Sequence, residues 1–268
     1  MVMTIRDWIR NRETHGFPTF SFEELKENFA ALSEQVIWNE LYRLNSQKRI
    51  ASVYKGFYVI IPPQYAAKGV VPPPYYIDYL MKFLCKPYYV AGLNAAELWG
   101  AAHQRPQLFS VMTIPPRSTV STAKNNLISW IYRREIPEKF LSTRNTEIGV
   151  IKFSNPELTA IDLVQYEQHI GGLSRATTIL SELVEKTNFV NSSEELLACA
   201  SLSTIQRLGY ILDVILDETK QADTLYTELQ KYGKRLNYIS LSRREKEFGK
   251  RNKRWRVVEN ILIEPDEV

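Results

Sequence analysis

Residues 33–61 read SEQVIWNELYRLNSQKRIASVYKGFYVII, and this stretch decides how the rest of the chain is read. Ile37, Leu41 and Leu44 recur at spacings of four and three, which stacks them on one face of a helix. Ser33 stands at the N-cap position, where a hydroxyl can accept from a first-turn N–H. The other face carries Gln35, Trp38, Asn39, Tyr42 and Arg43. These are large hydrogen-bonding side chains and only Arg43 is charged, whereas a merely solvated face usually carries more Glu and Lys. The polar run Asn45-Ser46-Gln47-Lys48-Arg49 ends the helix. Residues 50–53 and 57–61 are β-branched and aromatic and flank Tyr54-Lys55-Gly56, so they read as a hairpin. Gly56 can supply the positive φ of a tight turn.

The preceding segment completes a unit. Ile5, Trp8 and Ile9 share one face of a first helix that ends near His15-Gly16, and Pro18 and Thr19 break the chain. Ser21 and Glu24 form a capping box, and Phe22, Leu25 and Phe29 line the second helix. Three helices and then a hairpin is the order of a winged helix-turn-helix, whose third helix enters a DNA major groove. The groove is wide enough for one α-helix, and side chains near its N-terminus reach base edges. The expected DNA-facing set is Ser33, Gln35, Trp38, Asn39, Tyr42 and Arg43, with Lys55 at the hairpin tip against a phosphate. The competing reading is a protein-docking unit, because the charge of this segment is close to neutral and Trp38 and Tyr42 can pack on protein.

The 268 residues are 44% hydrophobic and 24% charged, with net charge +4, which suits two globular domains and is compatible with a nucleic-acid partner without requiring one. Cys85 and Cys199 lie in apolar helical contexts and are expected to be buried, reduced thiols. The N-terminus lacks the pattern of a signal peptide, and no apolar run approaches the ~18 residues of a membrane span, so a cytoplasmic protein is expected.

Pro62-Pro63 ends the second hairpin strand, and Pro72-Pro73-Pro74 stiffens the connection that follows. The expected division is a winged helix-turn-helix over 1–63, a proline-rich linker over 64–75 and a larger domain over 76–268. In that domain helices are predicted near 76–84 and 93–99, and strands at 88–90, 108–114, 128–132 and 147–153. Asn155 and Pro156 open a mostly helical region that runs to about residue 231, with a bend expected near Gly209. Residues 236–239 and 255–258 return to β character. The fold class is mixed α/β, in the α+β sense, with a small sheet and a helical cluster.

Catalytic patterns are absent. His15, His103 and His169 are scattered, and no GxSxG, P-loop or GxGxxG occurs. No metal or cofactor is expected. A metal-dependent nuclease would need an acidic residue and a lysine on one strand face; Glu147 and Lys152 are five apart and fall on opposite faces. Residues 101–107 read as a polar connector. From residue 234 to 256 there are ten Lys or Arg and two Glu, interleaved with Tyr238, Phe248 and Trp255. That mixture suits phosphate and stacking contacts. Arg243, Arg244, Lys246, Lys250, Arg251, Lys253 and Arg254 are the expected contacts, to nucleic acid or to a protein partner.

Four segments together resemble the AbiEi family of antitoxins: KGFYVIIPP at 55–63, YYVAGLNAAELWGAAHQ at 88–104, ELTAIDL at 157–163 and QRLGY at 206–210. The resemblance spans nearly the whole chain. It implies an antitoxin of a bacterial type IV toxin–antitoxin system, of the kind tied to abortive infection and phage defence. The N-terminal winged helix would bind inverted repeats in double-stranded DNA at its own promoter and act as a transcriptional repressor. The C-terminal domain would oppose a nucleotidyltransferase toxin without needing a stable complex. The alternative is a module that docks the toxin directly through residues 156–231. The resemblance transfers the DNA-reading role to Gln35, Trp38, Asn39, Tyr42, Arg43 and Lys55, and it transfers no catalytic residue, so the protein is not expected to be an enzyme.

Overall fold

The computed structural model describes residues 3–101, 106–116, 127–190, 192–233, 235–242, 244–245 and 249–264. It is a mixed α/β structure with three small sheets. The chain forms two compact units: Met1–Tyr89 with Gln107–Ile136 and Thr143–Lys152, and Val90–Pro106 with Pro137–Ser142 and Phe153–Val268. Among the described residues no helix is long and apolar enough to cross a membrane.

The first unit opens with helix α1 (Ile5–Thr14), started by a reciprocal cap between Thr4 and Asp7. Strand β1 (Thr19–Ser21) follows, where the sequence suggested only a break at Pro18-Thr19. Three residues suffice because they pair antiparallel with a strand already formed downstream, Thr19 facing Val59 and Ser21 facing Phe57. The expected capping box starts α2 (Phe22–Asn28): the Glu24 N–H donates to the Ser21 hydroxyl at 3.1 Å, and the Ser21 N–H donates to the Glu24 carboxylate at 2.6 Å. Helix α3 (Glu34–Ser46) comes next. Its Ser33 hydroxyl makes no capping bond, which corrects the sequence expectation; the Val36 N–H is taken instead by the Ser33 carbonyl. Strands β2 (Ile50–Tyr54) and β3 (Phe57–Ile60) form the hairpin, with Gly56 at φ +73° in the turn. The sheet order is β1-β3-β2.

Apolar spacing explains the packing. Ile37, Leu41 and Leu44 of α3 are buried with Ile5, Trp8 and Ile9 of α1, Leu25 of α2 and Ile50 and Ile60 of the hairpin. Each such fully buried side chain contributes roughly 1.5–3 kcal/mol. Aromatic rings fix the geometry: Trp8 meets Phe20 edge-on at 5.7 Å, and Phe20 stacks on Tyr58 at 5.3 Å. Burial pushes the Tyr58 phenol up to about 12.

Downstream lie α4 (Pro63–Ala66), α5 (Ile77–Phe83) and β4 (Tyr88–Val90), then β5 (Phe109–Thr113) and β6 (Ile128–Tyr132), which pair in parallel along their whole length. Strands β7 (Leu141–Asn145) and β8 (Val150–Ser154) complete a five-stranded sheet ordered β6-β5-β4-β8-β7. Strand β7 was not expected, because LSTRN has a single large apolar side chain. Strand β8 starts at Val150, with Glu147 in the preceding bend, so Glu147 does not lie on the strand as the sequence suggested. Cys85 is exposed and at φ +51°, not buried as expected: it lies past the end of α5, where the chain leaves the helix.

The second unit contains α6 (Gly92–Leu98), α7 (Pro156–Gln165), α8 (Leu173–Leu183), α9 (Glu194–Leu197), α10 (Leu202–Tyr210) and α11 (Thr219–Lys231). Helix α7 starts as expected: the Leu158 N–H donates to the Asn155 side chain at 2.9 Å, and Pro156 occupies the first turn. Its middle, from Leu158 to Val164, is wholly buried. Helix α10 passes into a wider turn over Ile211–Ile215, just beyond Gly209. Strands β9 (Ile239–Ser240), β10 (Lys250–Asn252) and β11 (Val257–Glu259) form the third sheet, ordered β10-β11-β9.

Candidate nucleic-acid interface

Helix α3 buries one stripe and exposes the rest. Ser33, Gln35, Trp38, Asn39, Tyr42 and Arg43 are all exposed, and so is Lys55 at the hairpin tip. Tyr42 stands furthest out, at 78% exposure. Trp38 is half covered because its ring stacks on Phe22 at 4.3 Å, so it forms a shelf at the helix flank rather than a projecting rod. The Gln35 amide donates to the Asn39 side chain at 3.1 Å, which aligns two amide groups one turn apart. Side chains of this type pair with base edges.

Arg43 is not a free cation. It lies 2.5 Å from Glu40, which also holds Arg6 at 3.0 Å. The Glu40 carboxyl is held below its ordinary range: burial acts to raise it, and the hydrogen bonds from Arg43 and Arg6 outweigh that. A phosphate or base approaching Arg43 therefore competes with a carboxylate. This partner was readable in the sequence as an i,i+3 pair but was not recognised. Lys55 makes no ion pair among the described residues. The turn that carries it is tied down by the Phe22 N–H, which donates to the Gly56 carbonyl at 2.8 Å.

The basic C-terminal stretch is organised differently. Arg243, Lys246 and the connector residue His103 lie outside the described residues. Arg244, Lys250, Arg251 and Lys253 are exposed. Arg254 is held at 3.2 Å from Asp213 and 2.5 Å from Asp223, with its guanidinium 4.9 Å from the centroid of Tyr226. Its charge fastens the β10–β11 turn to the helical cluster.

The turn is also anchored by Trp255, which is fully buried. The Trp255 indole N–H donates to Asp213 at 2.9 Å, and its ring occupies the space that Gly209 leaves open. A Cβ at Gly209 would lie 2.1 Å from that ring. Gln206 donates to the carbonyls of Asn237 and Trp255, and Arg207 to those of Ser240 and Leu241. Burial pushes the Tyr210 phenol up to about 12, with the Glu259 carboxylate adding to it. QRLGY is thus the cradle of the C-terminal tail. Among the described residues no cluster of three or more His, Cys, Asp or Glu could hold a metal ion.

Three N-terminal helices with a small antiparallel sheet, consistent with a winged helix-turn-helix, stand in one chain with a mixed α/β region and a helical cluster. Residues 89–214 match the family described as the AbiEi antitoxin C-terminal domain. The fold is similar to that in the crystal structure of the RV2827C protein from Mycobacterium tuberculosis, with a TM-score of 0.67 and 15% identity over 93% of this chain and 89% of that one. No curated protein matches the sequence at significant similarity.

Proposed function

We propose that this protein is a DNA-binding autorepressor and antitoxin. Residues 1–63 read the operator, residues 64–75 link, and residues 76–268 counteract a nucleotidyltransferase toxin. The observation that carries this reading is the outward face of α3. Its six polar and aromatic residues are all exposed beside a hairpin whose tip presents a lysine, in a chain that continues into an AbiEi antitoxin domain. Gln35 and Asn39 reach base edges, Arg43 leaves Glu40 for a base or phosphate, and Lys55 contacts the neighbouring backbone. Ser33, with no capping bond to make, offers its hydroxyl to a phosphate at the helix start. No step requires a metal, a cofactor or a catalytic residue of this chain.

Fluorescence anisotropy with the DNA upstream of the protein's own gene, against scrambled DNA, tests the reading. Tight, salt-sensitive and sequence-preferring binding is expected. Weak binding without preference would overturn it.

A second reading has its own observation. Leu32, Val36, Trp38 and Tyr42 are all exposed large hydrophobic residues in and just before α3. Such a group suits a protein partner, and docking of the toxin is then direct. Stoichiometric co-purification with the toxin in moderate salt supports this reading; separation on a sizing column counts against it.

A further inference from the structure

A cleft of about 420 Å³ opens beside the β10–β11 turn. That lies within the ~300–1,000 Å³ typical of small-ligand sites. Four cationic side chains line it, and no carboxylate does. Arg254 is already committed to Asp213 and Asp223. Arg235, Lys253 and Arg256 are exposed and make no ion pair among the described residues. Three uncompensated positive charges in one concavity raise the local potential and concentrate anions there.

Arg256 is also held in place. Arg256 adopts φ +54°, a left-handed conformation uncommon outside glycine. Its guanidinium lies 5.1 Å from the centroid of Tyr238, and that of Arg251 lies 5.2 Å away. Tyr238 thus orients the Arg256 guanidinium at the cleft wall, and buried Trp255 fixes the turn between Lys253 and Arg256. Less of the Arg256 side-chain freedom remains to be lost on binding, which favours affinity. Gln230 and Asn237 add amide groups to the same lining.

We propose that this cleft binds the phosphate of a nucleotide, presented free or within a single-stranded nucleic acid. Guanidinium forks match phosphate oxygens bidentately, their planes accept a stacked base, and the two amides can pair with base edges. A carboxylate-rich protein would be drawn by the same charge, but a concave site of this size suits a small group better than a protein face. The site is separate in sequence from α3 and from the hairpin tip, so it stands or falls independently of operator binding.

The test uses the full-length chain and four probes: a labelled single-stranded RNA of mixed sequence, AMP, a polyglutamate peptide and the promoter duplex. The variants are Lys253→Glu with Arg256→Glu, Arg235→Ala alone, and Lys220→Glu as a charge control on the exposed start of α11. RNA affinity is expected to fall at least about tenfold in the double variant and about threefold in Arg235→Ala. Each contacted phosphate contributes roughly 0.7 to a single-strand salt slope, so the double variant should lose about 1.4. Promoter affinity should stay within about twofold, and Lys220→Glu should change nothing. AMP binding lost in step with RNA identifies a free nucleotide as sufficient; RNA binding alone identifies the strand. Should the double variant fail to fold, as judged by its melting curve, Arg235→Ala decides. Equal RNA and AMP affinity in wild type and variants overturns the proposal, as does capture of polyglutamate alone.

Discussion

At the β2–β3 turn an exposed lysine sits beside a glycine; at the β10–β11 turn three cationic side chains surround a buried tryptophan. The first turn is short, is tied back by one hydrogen bond to α2, and keeps its charge available. The second is pinned by an indole, an Arg–Asp pair and the Gln206 amide, which donates to the Trp255 carbonyl, and one of its charges is consumed in the pinning. Positive charge in a sequence and positive charge on offer are therefore different quantities. Arg43 gives the same lesson inside the first unit, since Glu40 answers it before any DNA does.

The sharpest way to break the contrast is to remove the pin. Trp255→Ala should destabilise the protein by ~3–5 kcal/mol in urea denaturation, as for other buried large-to-small changes. Lys55→Ala should change stability by no more than ~0.5 kcal/mol, as surface substitutions do. Similar effects at the two sites would erase the distinction. Gly209→Ala should cost about 1–3 kcal/mol by overpacking against the indole. Combined with Trp255→Ala its cost should shrink, because the two changes share one space.

Next in size is Arg43→Ala, which should weaken operator binding by roughly 1–3 kcal/mol if the guanidinium leaves Glu40 for a base. Unchanged affinity would mean that the ion pair survives on DNA and that Arg43 is a helix brace. Lys55→Ala should reduce affinity equally for native and scrambled duplexes and lower the salt slope by about 1, the behaviour of a phosphate contact.

Glu40→Gln should have the smallest effect and the most telling sign. Losing the pair should cost roughly 0.2–1 kcal/mol of stability, while operator affinity should rise because Arg43 is released. The folded-state carboxyl is depressed, so its stabilisation is fully present above the ordinary value of 4.5 and is lost as pH falls through the lower folded value. The stability gap between wild type and Glu40→Gln should be constant near neutral pH and close in acid. A gap that persists in acid would mean that the carboxylate is not what holds the two arginines.

Local rules made much of the first unit legible. The Ser21–Glu24 box, the Ile37-Leu41-Leu44 stripe and the Lys55-Gly56 turn each specify structure within a few residues, and all three are present. The same stripe, read in reverse, identifies which α3 residues face outward. Features resting on distant partners were not legible. Strand β1 exists because β3 is there to pair with it. Arg254 meets an aspartate 41 residues away, so its charge looked free in the sequence. The glycine in QRLGY suggested a bend, and the space it leaves for Trp255 could not be read from periodicity.

Gln206 and Arg207 grip the tail at Asn237, Ser240, Leu241 and Trp255 by carbonyl oxygens alone. Every amino acid supplies a carbonyl, so this part of the mooring is blind to what the tail displays, whereas the indole at Gly209 and the Arg254 guanidinium between Asp213 and Asp223 are specific. The outward residues of the turn are in that sense an exchangeable fitting on a fixed mount. A chain built this way can replace Lys253 and Arg256 with acidic or apolar residues, and so change what it greets, while Arg254 and Trp255 keep the tail fastened.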